Sequence, residues 1–361
     1  MSFDRRKLLG GFAALAGAAS LPSVAKAEDA PCRPAFPLPQ TASPELRALI
    51  VERKNNVAWK IKPRTAEDWR AIVKASTEQI IKRDAAWPEK FGVAIREDKI
   101  GGVPVFWITP NALPPENHDK LLLNFHGGAY VYAPGRAGLE DAILMASRGG
   151  YRVVSVDYRM APDFPYPAAI DDAEAVWCEL IKTMNPKKIG VFGTSTGGGI
   201  TLALIHRCKA KGIKLPGALW AGTPWSDLGK VGDSYFTNEF VDTGLVSYDG
   251  SLGAAAELYA GGKSLTDPEI SPVYGDFAGF PPTHLTTGTR DLFLSLTVRV
   301  HRKLRDAGVL TDLTVIEALS HADYAALPDS PESKQVYGDA KAFFDKTLAS
   351  KKKIKHPGKD K

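Results

Sequence analysis

Apolar and polar positions along this chain fall into two recurring kinds of block. Short, nearly continuous apolar runs read as strands buried in a sheet: Leu121-Leu122-Leu123-Asn124-Phe125, Lys188-Ile189-Gly190-Val191-Phe192, Gly217-Ala218-Leu219-Trp220, Thr283-His284-Leu285-Thr286-Thr287 and Leu313-Thr314-Val315-Ile316-Glu317. Between them, helical patterns run from Ala168 to about Ile181, from Gly197 to about Cys208 and from Leu294 to about Ala307. Strand and helix in alternation predict an α/β fold, with a mostly parallel central sheet and helices on both faces. No repeat, heptad run or low-complexity block interrupts the pattern, so residues 91–350 read as one large domain carrying insertions. Ahead of it, a helix-rich stretch from about Ser43 to Ala86 carries Leu46, Ile50, Trp59, Trp69, Ile72 and Ile80. Its plainest reading is a helix pair packed onto the main core.

The ends of the strand blocks carry the chemistry. The run ending at Phe192 feeds Gly193-Thr194-Ser195-Thr196-Gly197, a G-x-S-x-G pentapeptide between a strand and a helix. In that context it predicts a nucleophile elbow, a sharp turn that presents the Ser195 hydroxyl at its tip. Small residues two before and two after the serine let strand and helix approach closely, and the helix start points free amides toward developing negative charge. Upstream, the run ending at Phe125 leads into His126-Gly127-Gly128-Ala129. A buried strand ending in His-Gly-Gly reads as an oxyanion loop, because backbone without side chains can aim N–H groups at a reacting carbonyl. His126 lies within that loop and is read as a brace for it.

A serine nucleophile needs a base and an acid to orient the base, in the chain order Ser, Asp or Glu, His. The strand Thr283–Thr287 ends in Gly288-Thr289-Arg290-Asp291, and Leu313–Glu317 runs into Ala318-Leu319-Ser320-His321. Asp291 and His321 are 30 residues apart, room for one helix and one strand, which sets the two strand ends side by side. Rivals fit less well. His284 lies inside a strand, His206 and His301 lie in helical stretches, and His118 and His356 fall in polar or tail segments. Asp227 comes too early in the strand order, and Asp323 is too close to His321 in sequence to support its Nδ1.

These elements together resemble the hormone-sensitive-lipase family, the bacterial-esterase branch of the α/β-hydrolase fold. The resemblance rests on His126-Gly127-Gly128, on Asp157-Tyr158-Arg159-Met160-Ala161-Pro162, and on Gly193-Thr194-Ser195-Thr196-Gly197-Gly198, and it extends through Ser271-Pro272-Val273-Tyr274 and Gly288–Asp291. It implies Ser195, Asp291 and His321 as a catalytic triad acting through an acyl-enzyme. The oxyanion donors would be the amides of Gly128, Ala129 and Thr196, with Gly127 shaping the loop. It also implies a helical cap built from residues 28–90 and a second piece at about 231–259. The chain departs from the family pattern at Ala129, where a third glycine is usual, and at Thr194 and Thr196, where acidic and alanine residues are common. It departs again after Asp291, where the usual second aspartate is missing, and at Ala322-Asp323-Tyr324, where Gly-Phe is usual. These differences bear on substrate more than on chemistry.

The N-terminus stands apart. Arg5-Arg6-Lys7-Leu8-Leu9 leads an apolar stretch to Leu21, and Ala25-Lys26-Ala27 offers an A-x-A cleavage site. Residues 1–27 therefore read as a secretory signal of twin-arginine type, too short and glycine-rich for a stable membrane span, and predict export to the periplasm or beyond. The formal net charge of +5 comes from the ends, since residues 1–27 contribute +3 and the tail 351–361 contributes +5, leaving the body at −3. That excludes a nucleic-acid footprint, and the basic tail reads as a solvated end. Cys178 and Cys208 sit in amphipathic helices as small core residues, Cys32 lies past the cleavage site, and no His/Cys/Glu cluster has metal-ligand spacing. Gly261-Gly262-Lys263-Ser264 is not a phosphate loop, because the required first glycine would fall at Glu257.

Two functions follow. One is an exported serine hydrolase acting on small-molecule esters or lactones without a cofactor. The alternative is a non-catalytic binding protein on the same fold, a class that typically loses a triad member.

Overall fold

The computed structural model describes residues 36–348. The expected secretory signal at residues 1–27, Cys32 and the basic tail 351–361 lie outside the described residues. Eight strands form one sheet: β1 Val93–Ile100, β2 Val103–Pro110, β3 Leu121–Phe125, β4 Val153–Val156, β5 Ile189–Thr194, β6 Ala218–Gly222, β7 Thr283–Gly288 and β8 Thr311–Ile316. Their spatial order is β1-β2-β4-β3-β5-β6-β7-β8. β2 runs antiparallel to β1 and β4, and every other pairing is parallel. This is the mostly parallel α/β sheet expected from the sequence, extended at one edge by a hairpin. β1 gives little apolar signal because most of it faces solvent.

Among the described residues eight helices of nine or more residues surround the sheet: α1 Pro44–Glu52, α2 Ala66–Asp84, α3 Glu140–Gly149, α4 Ala168–Thr183, α5 Thr196–Ala210, α6 Ser251–Ala260, α7 Leu294–Asp306 and α8 Pro331–Thr347. Successive strand residues feed opposite faces. In β3, Leu121, Leu123 and Phe125 join the core under α4, α5 and α7, while Leu122 joins the core under α1, α3 and α8. Burial on both faces is why these strands read as continuous apolar runs rather than alternating ones.

The N-terminal helices divide their labour. α1 starts from a Ser43 cap, whose Oγ accepts the Leu46 N–H at 3.1 Å, and buries Leu46, Leu49 and Ile50 in the core. α2 starts from a reciprocal Thr65–Asp68 capping box but buries only Trp69. Trp69 packs edge-on to Tyr132, with centroids 6.0 Å apart, and against Val131 and Ala255. The expected helix pair on the core is therefore half right. α2 has too few apolar residues on one face to join the core, and it spans a cavity instead. The β6–β7 connection meets this N-terminal stretch, with Trp59 edge-on to Phe240 at 5.6 Å and Asn56 Nδ2 donating to the Thr243 carbonyl at 3.1 Å.

Candidate active site

Ser195, Thr223, Asp291 and His321 follow β5, β6, β7 and β8, at the carboxyl ends of adjacent parallel strands, where open α/β sheets place their sites. Ser195 stands between β5 and α5 with φ 60° and ψ −123°, a conformation rare for a residue with a side chain. It persists because its backbone is pinned. The Ser195 N–H donates to Gly222 O at 2.9 Å, and its carbonyl accepts from Gly199 and Trp225 at 3.0 and 2.9 Å. A Cβ at Gly197 would lie 1.8 Å from the Phe125 carbonyl oxygen, so glycine there lets the first turn of α5 sit against the end of β3.

The His126–Ala129 loop comes up against this turn, and a Cβ on Gly127 would lie 3.3 Å from Ser195 Cβ. Gly128 has φ +127°, and Ala129 takes a left-handed φ of 54° despite its methyl group. The backbone N–H groups of Gly128, Ala129 and Thr196 donate to no protein acceptor among the described residues. Thr196 is the first residue of α5, where amides lack intrahelical partners. The loop is braced from below. Tyr158 OH donates to His126 O at 2.8 Å, and its ring stacks on the His126 imidazole at 4.4 Å. His126 Nδ1 lies 2.7 Å from Gly127 O, and burial lowers the ring's pKa, so the neutral ring donates from Nδ1. The Asp157–Pro162 motif thus supports the loop, as Tyr158 does here and as Ala161 N–H does by donating to Tyr130 O at 3.1 Å.

Asp291 and His321 meet as the sequence spacing implied. His321 Nδ1 is 3.1 Å from Asp291 Oδ1, and both side chains are buried. The carboxylate is fully engaged. Its Oδ1 also accepts the Phe293 N–H at 2.8 Å, while Oδ2 accepts the hydroxyls of Thr287, at 3.0 Å, and Thr223. Thr223 Oγ1 also lies 3.0 Å from His321 Nδ1, and Phe293 packs edge-on to the imidazole at 4.5 Å. Burial pulls the imidazole pKa down. The charge and hydrogen bond of Asp291, with the charges of Asp242 and Asp323 behind it, more than offset this and leave it above the ordinary histidine value. Sequence reasoning missed Thr223, Thr287, Phe293 and Asp242. Thr287 sits in a strand end already singled out, and the others carry no motif.

Ser195 and His321 line one cavity of about 210 Å3 together with Gly127, Gly128 and Ala129. Ala58, Trp59, Ile61, Leu245 and Leu252 add apolar walls, and Ile80 and Arg83 of α2 border it. The rival residues are occupied elsewhere. Asp227 is held by Arg299 Nη1 at 2.7 Å and Tyr274 OH at 2.9 Å. Asp323 is paired with Arg53 Nη1 at 2.6 Å in full burial. His284 Nε2 lies 3.3 Å from Thr286 Oγ1 inside β7, and His206 Nε2 contacts Pro272 O at 2.9 Å. Cys178 and Cys208 are free thiols. Among the described residues no His, Cys, Asp or Glu cluster is placed to hold a metal ion, and no helix is long and apolar enough to cross a membrane.

Comparison with known proteins bears on the fold and the family. Residues 122–325 match a family described as alpha/beta hydrolase fold. The chain is 33% identical over 201 residues to the putative acetyl-hydrolase LipR of Mycobacterium tuberculosis, covering 55% of this chain and 63% of that protein, less than two thirds of its length. An esterase of Acinetobacter venetianus is 28% identical over 260 residues, covering 71% of this chain and 84% of that protein. Among solved structures, that of an esterase E25 aligns with a TM-score of 0.82 at 41% identity, covering 87% of this chain and 97% of that one. An esterase from the bacterial hormone-sensitive lipase family aligns with a TM-score of 0.73 at 28% identity, covering 85% and 99%.

Proposed function

The chain belongs to the alpha/beta hydrolase fold family, in its hormone-sensitive-lipase-like branch, and from that premise we propose that it is a serine hydrolase of carboxylic ester bonds. The observation that carries this reading is the 3.1 Å contact between His321 Nδ1 and Asp291 Oδ1 at the wall of the cavity that Ser195 also lines. Asp291 fixes the tautomer, so that Nε2 of His321 is the free base. Ser195 Oγ attacks the ester carbonyl and passes its proton to Nε2. The carbonyl oxygen becomes an oxyanion, for which the amides of Gly128, Ala129 and Thr196 are the donors. Collapse expels the alcohol, which takes the proton from His321 and leaves Ser195 acylated. Water then attacks the acyl carbon, again giving a proton to His321, and the acid leaves as Ser195 recovers it. Nucleophile, base and oxyanion donors all come from the chain, so these steps call on no cofactor.

Of the two expected cap pieces, residues 53–83 and 244–252 border the cavity and act as the cap over it, and the small cavity beneath them fits small-molecule esters or lactones. The names of the relatives, acetyl-hydrolase and esterase, support short acyl groups. The Arg5-Arg6 signal exports the folded protein, and an Arg5→Lys/Arg6→Lys variant left in the cytoplasm would support that route. The central test is labelling with a fluorophosphonate, which reacts with activated serines. Labelling of the wild type and none of Ser195→Ala supports the enzyme. Folded wild type that takes no label favours the non-catalytic binding protein.

A further inference from the structure

One fully buried carboxylate outside the triad touches the base, the acid loop and the cavity wall at once. Asp242 lies in the β6–β7 connection. Its Oδ2 accepts the N–H of Leu292, next to Asp291, at 2.9 Å, and the N–H of His321 itself at 3.3 Å. Its Oδ1 accepts the N–H groups of Gly244 and Leu245 at 2.8 and 3.1 Å, and both residues line the cavity with Ser195. Flanking residues tie the same parts together. Thr243 N–H donates to Ser320 Oγ at 3.1 Å, and Asn238 Nδ2 donates to Asp291 O at 2.8 Å.

Four N–H donors satisfy the carboxylate's hydrogen bonding, which is what allows it to be buried at all. Its charge has no adjacent cation of its own. The charged and titratable groups facing it are Asp291, His321 and Asp323, the last already paired with Arg53. Burial and the Asp291 charge push the Asp242 carboxyl up to about 7. A tie between loops needs no charge, yet once ionised this carboxylate sits beside the one group that must become cationic during turnover.

We propose that Asp242 is a positioning residue for ester hydrolysis, which sets His321 and the Asp291 loop in register with the cavity and favours the imidazolium formed when Ser195 is deprotonated. No proton passes to Asp242. It acts through the His321 backbone and through its field, and the inference rests on the reading of Ser195, Asp291 and His321 as the triad.

Asp242→Asn in the full chain tests this. The amide keeps the shape, removes the charge and turns an NH2 toward two of the four donors. Turnover per fluorophosphonate-titrated serine should fall about ten- to a hundredfold, with KM changed by less than about threefold. The acid limb of kcat/KM should move to lower pH by up to about one unit, because the imidazolium loses a neighbouring negative charge. Thr243→Val is the control: it removes the hydroxyl contact of Thr243 Oγ1 with Ser320 Oγ at 3.2 Å, keeps the backbone bond and leaves the charge in place, so its acid limb should not move. Asp242→Asn with near-normal turnover and an unmoved limb overturns the proposal. So does a loss matched by Thr243→Val with no shift of the limb, since Asp242 would then be a structural tie only. If Asp242→Asn does not fold, Asp242→Glu decides: it keeps the charge but displaces the carboxylate from its four N–H donors, so turnover per titrated serine should fall at least about tenfold with the acid limb in place, and near-normal turnover overturns the proposal. If no serine titrates in the wild type, the triad reading fails instead.

Discussion

Replacing Gly128 by alanine would put a methyl group 2.2 Å from the carbonyl oxygen of Tyr132 and 2.9 Å from its carbonyl carbon. Close carbon–oxygen contacts in proteins sit at about 3.3–3.6 Å, so the loop must yield by roughly 1 Å. It cannot yield freely, because Gly128 O already accepts the N–H groups of Val131 and Tyr132 at 2.9 and 2.7 Å. A displacement of roughly 1 Å between reacting groups costs about a hundredfold in rate. Loss of one aimed oxyanion donor costs about a hundred- to a thousandfold in kcat, or roughly 3–4 kcal/mol. The two routes to the number agree. A side chain at φ +127° also costs about 1–3 kcal/mol of stability, so the melting temperature should fall as well. The assay must therefore count working molecules: turnover of a short-chain chromogenic ester per serine titrated by fluorophosphonate. Gly135→Ala is the comparison, with φ +61° and open space around the new methyl, so it should cost some stability and leave turnover unchanged. KM for Gly128→Ala should change little, because the donors act on charge that appears only in the transition state. Turnover per titrated serine within about threefold of wild type would sink the oxyanion assignment.

Ser195→Ala should remove hydrolysis by several orders of magnitude while the protein still unfolds cooperatively, and substantial residual activity in pure protein would exclude Ser195 as nucleophile. Asp291→Asn should lower kcat by about three to four orders of magnitude by favouring the wrong imidazole tautomer, whereas Asp227→Asn, which loosens a pair with Arg299, should not; the reverse ranking means a wrong acid. Because His321 must be neutral to accept the serine proton and its pKa is raised, kcat/KM should fall as pH drops through a value above 6.5, and a midpoint below 6.5 contradicts the site's electrostatics. Arg53→Met should destabilise the fold by about 3–5 kcal/mol in chemical denaturation, since Asp323 is left buried without its cation.

The sequence shows what strand ends carry and misses what comes from elsewhere to meet them. The β3, β5 and β7 runs were legible because burial on both faces leaves an unbroken apolar signal, whereas β8, a half-exposed edge strand, was legible from its β-branched residues. Ser195, Asp291 and His321 were legible because each follows such a run directly. Thr223 also follows a strand, but a threonine after Gly222 is ordinary, and only the fold brings its hydroxyl to Asp291 and His321. Asp242 lies 50 residues from the Leu292 N–H it accepts and 79 from that of His321. No local pattern marks a partner at that distance. α2 misled for the opposite reason: its apolar residues are real, but Trp69 alone is buried, and Ile80 faces the cavity.

The departures from the family pattern make more sense together than singly. Thr194 stands in the elbow where an acid is common, and its hydroxyl lies 2.8 Å from that of Tyr324, another departing residue. Asp141 is buried beside this pair, accepting the Tyr337 hydroxyl at 2.5 Å, so a carboxylate absent from the elbow is present on α3 instead. Asp323 puts a charge where an apolar residue is usual, and Arg53 comes from the N-terminal stretch to meet it. Each substitution alone would leave a buried polar group unsatisfied, at a cost of about 1–3 kcal/mol or more. Their partners lie on α3, in the N-terminal stretch and after β8, so each of these polar groups is met by a group from another element. Reverting Thr194 to aspartate should therefore destabilise the protein, because a second carboxylate would face Asp141. A motif-by-motif reading treats these positions as losses, but Thr194 and Tyr324 meet each other and Asp323 meets Arg53, so each departure has its partner.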